Sequence, residues 1–315
     1  MPVSHMSIVW TFPGQGAQRA GMLHDLPAHP MIAATLDEAS AALGHDVLRL
    51  DDAAALRSTV AVQLCLLIAG VAFARLLGHR ARPPEMVAGL SIGAYPAAVT
   101  AGALDFGDAV RLVALRGRLM EDAYPHGYGM LAIIGLTQPA LQPLIDLVNT
   151  PATPLFLANL NDLTQLVVAG AQSALQRIDA LAREHGARRC EMLQVAVPSH
   201  CPLLAEPAAE LARAFASVPT HAPHCVYLSS TIARPLWRGD LIAADLAHNM
   251  ARPVRWRDTI ELARERGARL AIEMPGGSVL TRLAAGACCQ WNAVSADEHR
   301  LDDLVWLSDR ESVAN

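Results

Sequence analysis

Between Glu85 and Thr100 the chain reads Glu-Met-Val-Ala-Gly-Leu-Ser-Ile-Gly-Ala-Tyr-Pro-Ala-Ala-Val-Thr: a short apolar strand, a Gly89-Leu-Ser-Ile-Gly93 corner and a helix. A strand that turns at once into a helix calls for a layered α/β fold, with the helix packed back against its own sheet. Such a corner lifts Ser91 out of the sheet so that its hydroxyl projects. Gly89 and Gly93 flank it where a side chain would crowd the strand–helix contact. The N–H of Ile92 opens the helix and points to where an oxyanion would sit. With only three fixed residues the motif also fits a plain tight turn whose serine caps the helix.

Composition narrows the chemistry. At 315 residues the chain is longer than a typical domain, so either a large core with one insert or two domains is expected. It is 52% apolar but only 4% aromatic, and its apolar mass is mostly Ala, Leu and Val, which suits a helix-rich α/β protein. A net charge of −5 argues against a nucleic-acid partner. All 25 basic residues are arginine, which excludes a Schiff-base lysine and a lysine-bearing phosphate loop. The six cysteines, at 65, 190, 201, 225, 288 and 289, contain no C-x-x-C pair, and adjacent Cys288-Cys289 has poor geometry for a mutual bridge. His221, His224 and Cys225 lie close together but lack a second ligand pair at metal-binding spacing, so no metal is expected. No leader pattern and no apolar run of about 18 residues is evident, so the expected location is cytoplasmic, with no membrane association.

Taken in order, Ser7–Phe12 reads as a strand that breaks into Pro13-Gly-Gln-Gly-Ala-Gln18. This loop is neither a dinucleotide fingerprint nor a Walker loop, and its backbone and Gln15 are candidates for oxyanion donors. Met31–Leu43, Ser58–Leu77 and Phe106–Ala123 are helical by periodicity. Gln63 is the polar residue in the apolar second helix, and Arg116 lies on the turn between Val113 and Met120, partly inward. An inward arginine is suited to a bidentate pair with a carboxylate. From Gly127 to Val197 the order changes to strand Met130–Leu136, helix Gln138–Val148, strands Leu155–Leu160 and Gln165–Ala169 joined through Asn161-Asp162, helix Ser173–His185 and strand Arg188–Val197. That β-α-β-β-α-β order is a ferredoxin-like unit. It divides the chain into a main body, 1–126 and 198–315, and an inserted small domain, 127–197. A cleft between them is the natural substrate site.

The body resumes at Pro198-Ser-His-Cys-Pro202, with a helix over Leu203–Ala216 and a strand over Cys225–Ser230. Helices follow over Leu241–Asn249 and Thr259–Arg266, then a strand over Leu270–Met274 and a helix from Val279. Ser91 needs a base, because an unassisted hydroxyl is a poor nucleophile at neutral pH. His200 is the candidate by position, at the junction where the insert returns to the body. No acidic residue stands out to orient its other ring nitrogen, which leaves a backbone or amide oxygen for that task.

Phe12-Pro-Gly-Gln-Gly-Ala-Gln18, Gly89-Leu-Ser-Ile-Gly93, Val110-Arg-Leu-Val-Ala-Leu-Arg-Gly117, Val197-Pro-Ser-His-Cys201 and Arg252-Pro-Val-Arg-Trp256 occur in one order. In this the chain resembles the malonyl-CoA:acyl carrier protein transacylase family, from about Ile8 to Leu283. The resemblance implies an α/β-hydrolase-like main domain with the ferredoxin-like insert, no bound cofactor, malonyl-CoA as substrate and an acyl carrier protein as partner. It implies that Ser91 carries the acyl group, with His200 as base and then acid, and that Gln15 and Ile92 supply oxyanion N–H groups. Arg116 would pair with the malonyl carboxylate, and the backbone carbonyl of Asn249 would orient the histidine. Gln63 and Met130 would line the acyl pocket, and Ser199 matches the form of its motif that goes with malonyl selection. Leu90 and Ala94 depart from the family's usual His and Glu. With them, Gly-Leu-Ser-Ile-Gly-Ala-Tyr is similar to the branch serving biotin-independent malonate decarboxylase as its epsilon (H) subunit, and that branch is the favoured expectation. The alternatives are the equivalent transacylase of fatty-acid or polyketide synthesis, a serine thioesterase using the same corner, and a non-catalytic subunit that binds the carrier.

Overall fold

The computed structural model describes residues 7–124, 126–195, 197–287 and 291–310. In chain order the elements are β1 (Ser7–Phe12), α1 (Pro30–Leu43), α2 (Thr59–Arg80), β2 (Met86–Gly89), α3 (Ala94–Thr100), α4 (Phe106–Ala123), β3 (Tyr128–Ile134), α5 (Gln138–Val148), β4 (Leu155–Asp162), β5 (Gln165–Ala171), α6 (Gln172–Glu184), β6 (Arg189–Met192), α7 (Ala205–Phe215), β7 (Val226–Ser229), β8 (Arg234–Leu236), α8 (Gly239–His248), α9 (Trp256–Glu265), β9 (Ala268–Glu273), α10 (Val279–Ala287), β10 (Asn292–Ser295) and α11 (Leu301–Arg310), with short 3-10 turns between several of them. Two sheets result.

The larger sheet has the order β10-β9-β1-β2-β7-β8, parallel except for the antiparallel edge strand β8. Its central strands are buried on both faces, as a parallel sheet covered by helices requires. Phe12 at the end of β1 is in register with Gly89 at the end of β2. The loops that follow these two strands therefore emerge side by side at the carboxyl edge, where open α/β sheets bind ligands.

The smaller sheet is antiparallel, in the order β4-β5-β3-β6. α5 and α6 cover one face, around Leu131, Ile133, Leu155, Val168 and Ile178. The other face gathers Met130, Ala158, Val167 and Ala169 against Cys201 of the body. β4 is also tied to the body's Arg252–Arg255 stretch, through Leu160 N–H to Val254 O and Val254 N–H to Ala158 O, both 2.8 Å.

Several expectations need correction. The turn between β4 and β5 falls at Leu163-Thr164 rather than Asn161-Asp162, because β4 runs on to Asp162. The strand expected over Arg188–Val197 ends at Met192; the chain then makes one more bond, Leu193 N–H to Met130 O, and leaves the sheet. β8, β10 and α11 were not foreseen as elements. α2 is long and apolar enough to cross a membrane, contrary to the sequence reading. Here it is the central core helix, buried from Thr59 to Leu77 at nearly every position, and the reason for its all-round apolarity is burial on every side. Its start is capped by Ser58, whose hydroxyl accepts from Val60 N–H at 3.2 Å. Cys65, Cys190, Cys201 and Cys225 are free thiols; Cys288 and Cys289 lie outside the described residues.

Candidate active site

Ser91 sits on the corner between β2 and α3 with φ of 56°, a left-handed conformation that a non-glycine residue adopts only where surrounding structure enforces it. Both flanking glycines are required. A Cβ on Gly89 would collide with the backbone of Gly93, and one on Gly93 with the carbonyl of Phe12. Burial encloses the serine, which is 9% exposed. Its hydroxyl caps no helix but meets His200 Nε2 at 2.7 Å, so the plain-turn reading falls away.

His200 shares the unusual backbone, with φ of 64°. Its N–H donates to Met250 O at 2.7 Å. Nδ1 faces two carbonyls, Asn249 O at 3.0 Å and Arg252 O at 3.2 Å. Carbonyls accept only, so the proton belongs on Nδ1 and the lone pair of Nε2 faces the serine O–H. Three carbonyls thus do the orienting that a carboxylate does in a Ser-His-Asp triad. Burial, and then the positive charge of Arg116, push the imidazole pKa down to about 4, against the backbone hydrogen bonds that raise it. At neutral pH the ring is uncharged and fit to accept a proton.

Arg116, on α4, is 1% exposed. Nη1 donates to Gln63 Oε1 at 2.6 Å, and Nη2 lies 3.4 Å from both Ser91 Oγ and Asn249 Oδ1. The guanidinium lies over the Tyr95 ring, 5.8 Å from its centroid. Nε is buried without a partner, and among the described residues no carboxylate pairs with this cation. Burial alone would pull its pKa down, with Tyr95 opposing. A buried, uncompensated guanidinium costs several kcal/mol (order of magnitude) and is retained where an anion comes to it.

Above these groups is a cavity of about 250 Å³. Gln15, Leu90, Ser91, Ser199 and His200 line it on one side, and Met130, Asn159, Asn161 and Gln165 of the smaller sheet on the other. Of the expected site residues, Gln15, Ser91, Met130, Ser199 and His200 line this cavity; Arg116 and Asn249 join the site through their contacts with Ser91 and His200, and Ile92 is next in chain to the serine and wholly buried. Gln63, expected to line the acyl pocket, instead stands behind Arg116, with Oε1 accepting from the guanidinium and Nε2 donating to Met120 Sδ at 3.3 Å. The sequence reading missed the Asn249 side chain, Tyr95 beneath the guanidinium, and Asn159, whose buried Oδ1 has no partner. Polar residues in apolar elements were the available signal, and only Gln63 was read that way.

The parallel sheet, its serine corner and the Ser91–His200 pair define an α/β enzyme with a serine–histidine site. Residues 9–298 match the acyl transferase domain family; the chain belongs to that family and is an acyltransferase. It is 37% identical to the malonyl CoA-acyl carrier protein transacylase of Haemophilus influenzae, over 91% of this chain and 94% of that protein. The enzyme of the same name from Bacillus subtilis is 33% identical, over 88% and 89%. Among solved structures, the transacylase of Coxiella burnetii superposes with a TM-score of 0.93 at 31% identity, covering 99% of this chain and all of that one. A malonyl-transacylase solved in complex with its type II polyketide acyl-carrier protein gives 0.91 at 33% identity, covering 96% and 99%.

Proposed function

We propose that the protein transfers a malonyl group from malonyl-CoA to the thiol of an acyl carrier protein through a malonyl ester on Ser91. The observation that carries this reading is the buried guanidinium of Arg116, 3.4 Å from Ser91 Oγ and without a carboxylate of its own. An acyl chain held at Ser91 that ends in a carboxylate would supply the missing charge, and a simple acyl chain would not.

In the scheme, Ser91 Oγ attacks the thioester carbonyl while its proton passes to His200 Nε2. The oxyanion is held by the N–H groups of Gln15 and Ile92; loss of one such donor costs about 3–4 kcal/mol in the barrier. Collapse breaks the C–S bond, and the CoA sulfur takes the proton from His200. The carrier's thiol then attacks the ester, His200 accepts its proton, and the same proton returns to Ser91 Oγ as that oxygen leaves. Asn249 O and Arg252 O hold the Nδ1 proton throughout, and Met130 and Ser199 shape the cavity around the acyl group. No cofactor enters the scheme.

The fold belongs to the same reading: an α/β-hydrolase-like body of 1–126 and 198–315, with 127–197 as a ferredoxin-like insert. The insert's spatial order, its second, third, first and fourth strands, supports this. For the biological role we place the chain with the transacylases of fatty-acid or polyketide synthesis rather than as the epsilon subunit of a malonate decarboxylase. The relatives bear the first kind of name. Of the two residues that pointed to the second, Leu90 lies against Gly14 of the loop after β1 and lines the cavity, and Ala94 is buried in the first turn of α3. A cytoplasmic location, where CoA thioesters and carrier thiols meet, goes with this assignment.

Incubation with malonyl-CoA followed by intact-mass measurement tests it. A malonyl adduct that disappears in Ser91→Ala and transfers to an added carrier thiol is expected. An adduct released only to water would make the protein a thioesterase, and no adduct on folded wild-type protein would refute the scheme.

A further inference from the structure

Asp245 is a buried carboxylate, 4% exposed, with no role in the scheme above. It sits on the last turn but one of α8, and every acceptor that orients His200 hangs from the end of that helix. Asn249 O, Met250 O and Arg252 O, all in the turn that follows α8, take the three hydrogen bonds from the His200 backbone and ring. Asp245 and Asn249 are four residues apart, so they occupy one face of the helix. Asn249 also presents Oδ1 to Arg116.

The carboxylate of Asp245 collects three hydroxyls from the end of β7 and the turn beyond it. Ser229 Oγ donates to Oδ1 at 2.8 Å, Thr231 Oγ1 donates to the same oxygen, and Tyr227 O–H donates to Oδ2 at 3.2 Å. The strand supplying them lies next to β2, the strand that ends at the serine corner. A second tie runs in parallel, from Tyr95 O–H on α3 to Leu246 O at 3.1 Å, and the Tyr95 ring lies under Arg116. The position of α8 relative to the sheet is thereby fixed at Asp245, and with it the carbonyls that aim the imidazole.

Burial pushes the carboxyl pKa upward, and the three hydroxyls and Arg252 oppose this. The titratable groups facing it are Tyr227 and Tyr95, both of whose pKa values burial raises. Both phenols stay protonated, leaving their O–H groups as donors.

We propose that Asp245 is the positioning acid of the His200 base, acting through α8 rather than by direct contact with the ring. The acid absent from the imidazole is present farther back, at the anchor of the segment that replaces it. The inference rests on the Ser91–His200 pair of the proposed function.

The test compares wild type, Asp245→Asn, Asp245→Ala and Tyr227→Phe, each checked for native circular dichroism. The rate of Ser91 labelling by a fluorophosphonate probe is measured against pH, beside malonyl transfer. The probe needs the serine–histidine pair but no malonyl group. Asp245→Asn is expected to slow labelling and kcat together by about tenfold, with KM for malonyl-CoA within twofold of wild type. Asp245→Ala should slow both further, Tyr227→Phe less, and the acid limb of the labelling profile should move in Asp245→Asn. A folded Asp245→Asn protein that labels at the wild-type rate with an unmoved pH profile would overturn the proposal, even if its stability is lower. Absence of a malonyl adduct on wild type, with fluorophosphonate labelling intact, would instead count against the proposed substrate and leave this test standing.

Discussion

The two sheets divide the work unequally. The elements around the parallel sheet supply both side chains within reach of the serine hydroxyl, His200 and Arg116 from α4, and the Gln15 loop after β1 lines the same cavity. The antiparallel insert contributes only the roof of the cavity, through Met130, Asn159, Asn161 and Gln165. Strand ends of a parallel sheet all deliver their loops to one edge, so distant stretches of sequence converge there. A meandering antiparallel unit presents a face instead, and a face suits covering and shape more than proton transfer.

Substitutions sort along that division. The largest effect belongs to the body: Ser91→Ala should lower kcat for malonyl transfer by at least about 10⁴-fold, measured as carrier acylation, because no neighbour replaces the nucleophile. Next comes acidity. With the His200 pKa near about 4, kcat/KM should hold down to about pH 5, where an imidazole of ordinary pKa near 6.5 would be only about 3% neutral. An acid limb centred near 6.5 would contradict the burial argument. The same depressed pKa implies a stability contribution fully present above pH 6.5 and lost as pH falls toward 4, visible as a lower urea midpoint. The smallest effect belongs to the insert: Asn159→Ala should raise KM for malonyl-CoA by about three- to tenfold, the worth of one hydrogen bond, with kcat within threefold. A kcat loss there as large as that of a body variant would erase the distinction.

How much of this was legible depended on whether the signal was local. The corner at Gly89–Gly93, the Pro13–Gln18 loop, the β-α-β-β-α-β order and the inward Arg116 are patterns within single stretches, and each is where the sequence placed it. β8 and β10, at three and four residues, are too short for alternation to register, and Pro235 speaks against a strand. α2 reads as a long apolar helix with no run sufficient to span a membrane, whereas the helix, Thr59–Arg80, is long and apolar enough by that measure and is buried in protein. Gln63 was assigned to the pocket although α2 and α4 place it behind the guanidinium, a matter of depth that periodicity does not encode. Asp245 gave no signal at all: it is an ordinary acid on a helix until β7 and the turn after it close over it with three hydroxyls.

The central claim is that Arg116 selects an acyl group bearing its own carboxylate. The direct measurement is the ratio of kcat/KM for malonyl-CoA over acetyl-CoA, on wild type and on Arg116→Ala, by intact mass of the Ser91 adduct. Wild type should favour malonyl by about 10³-fold or more, since acetyl leaves the buried cation unpaired. In Arg116→Ala the ratio should fall to near unity or below, through lost malonyl loading and gained acetyl loading. A ratio unchanged in the folded variant would contradict the account.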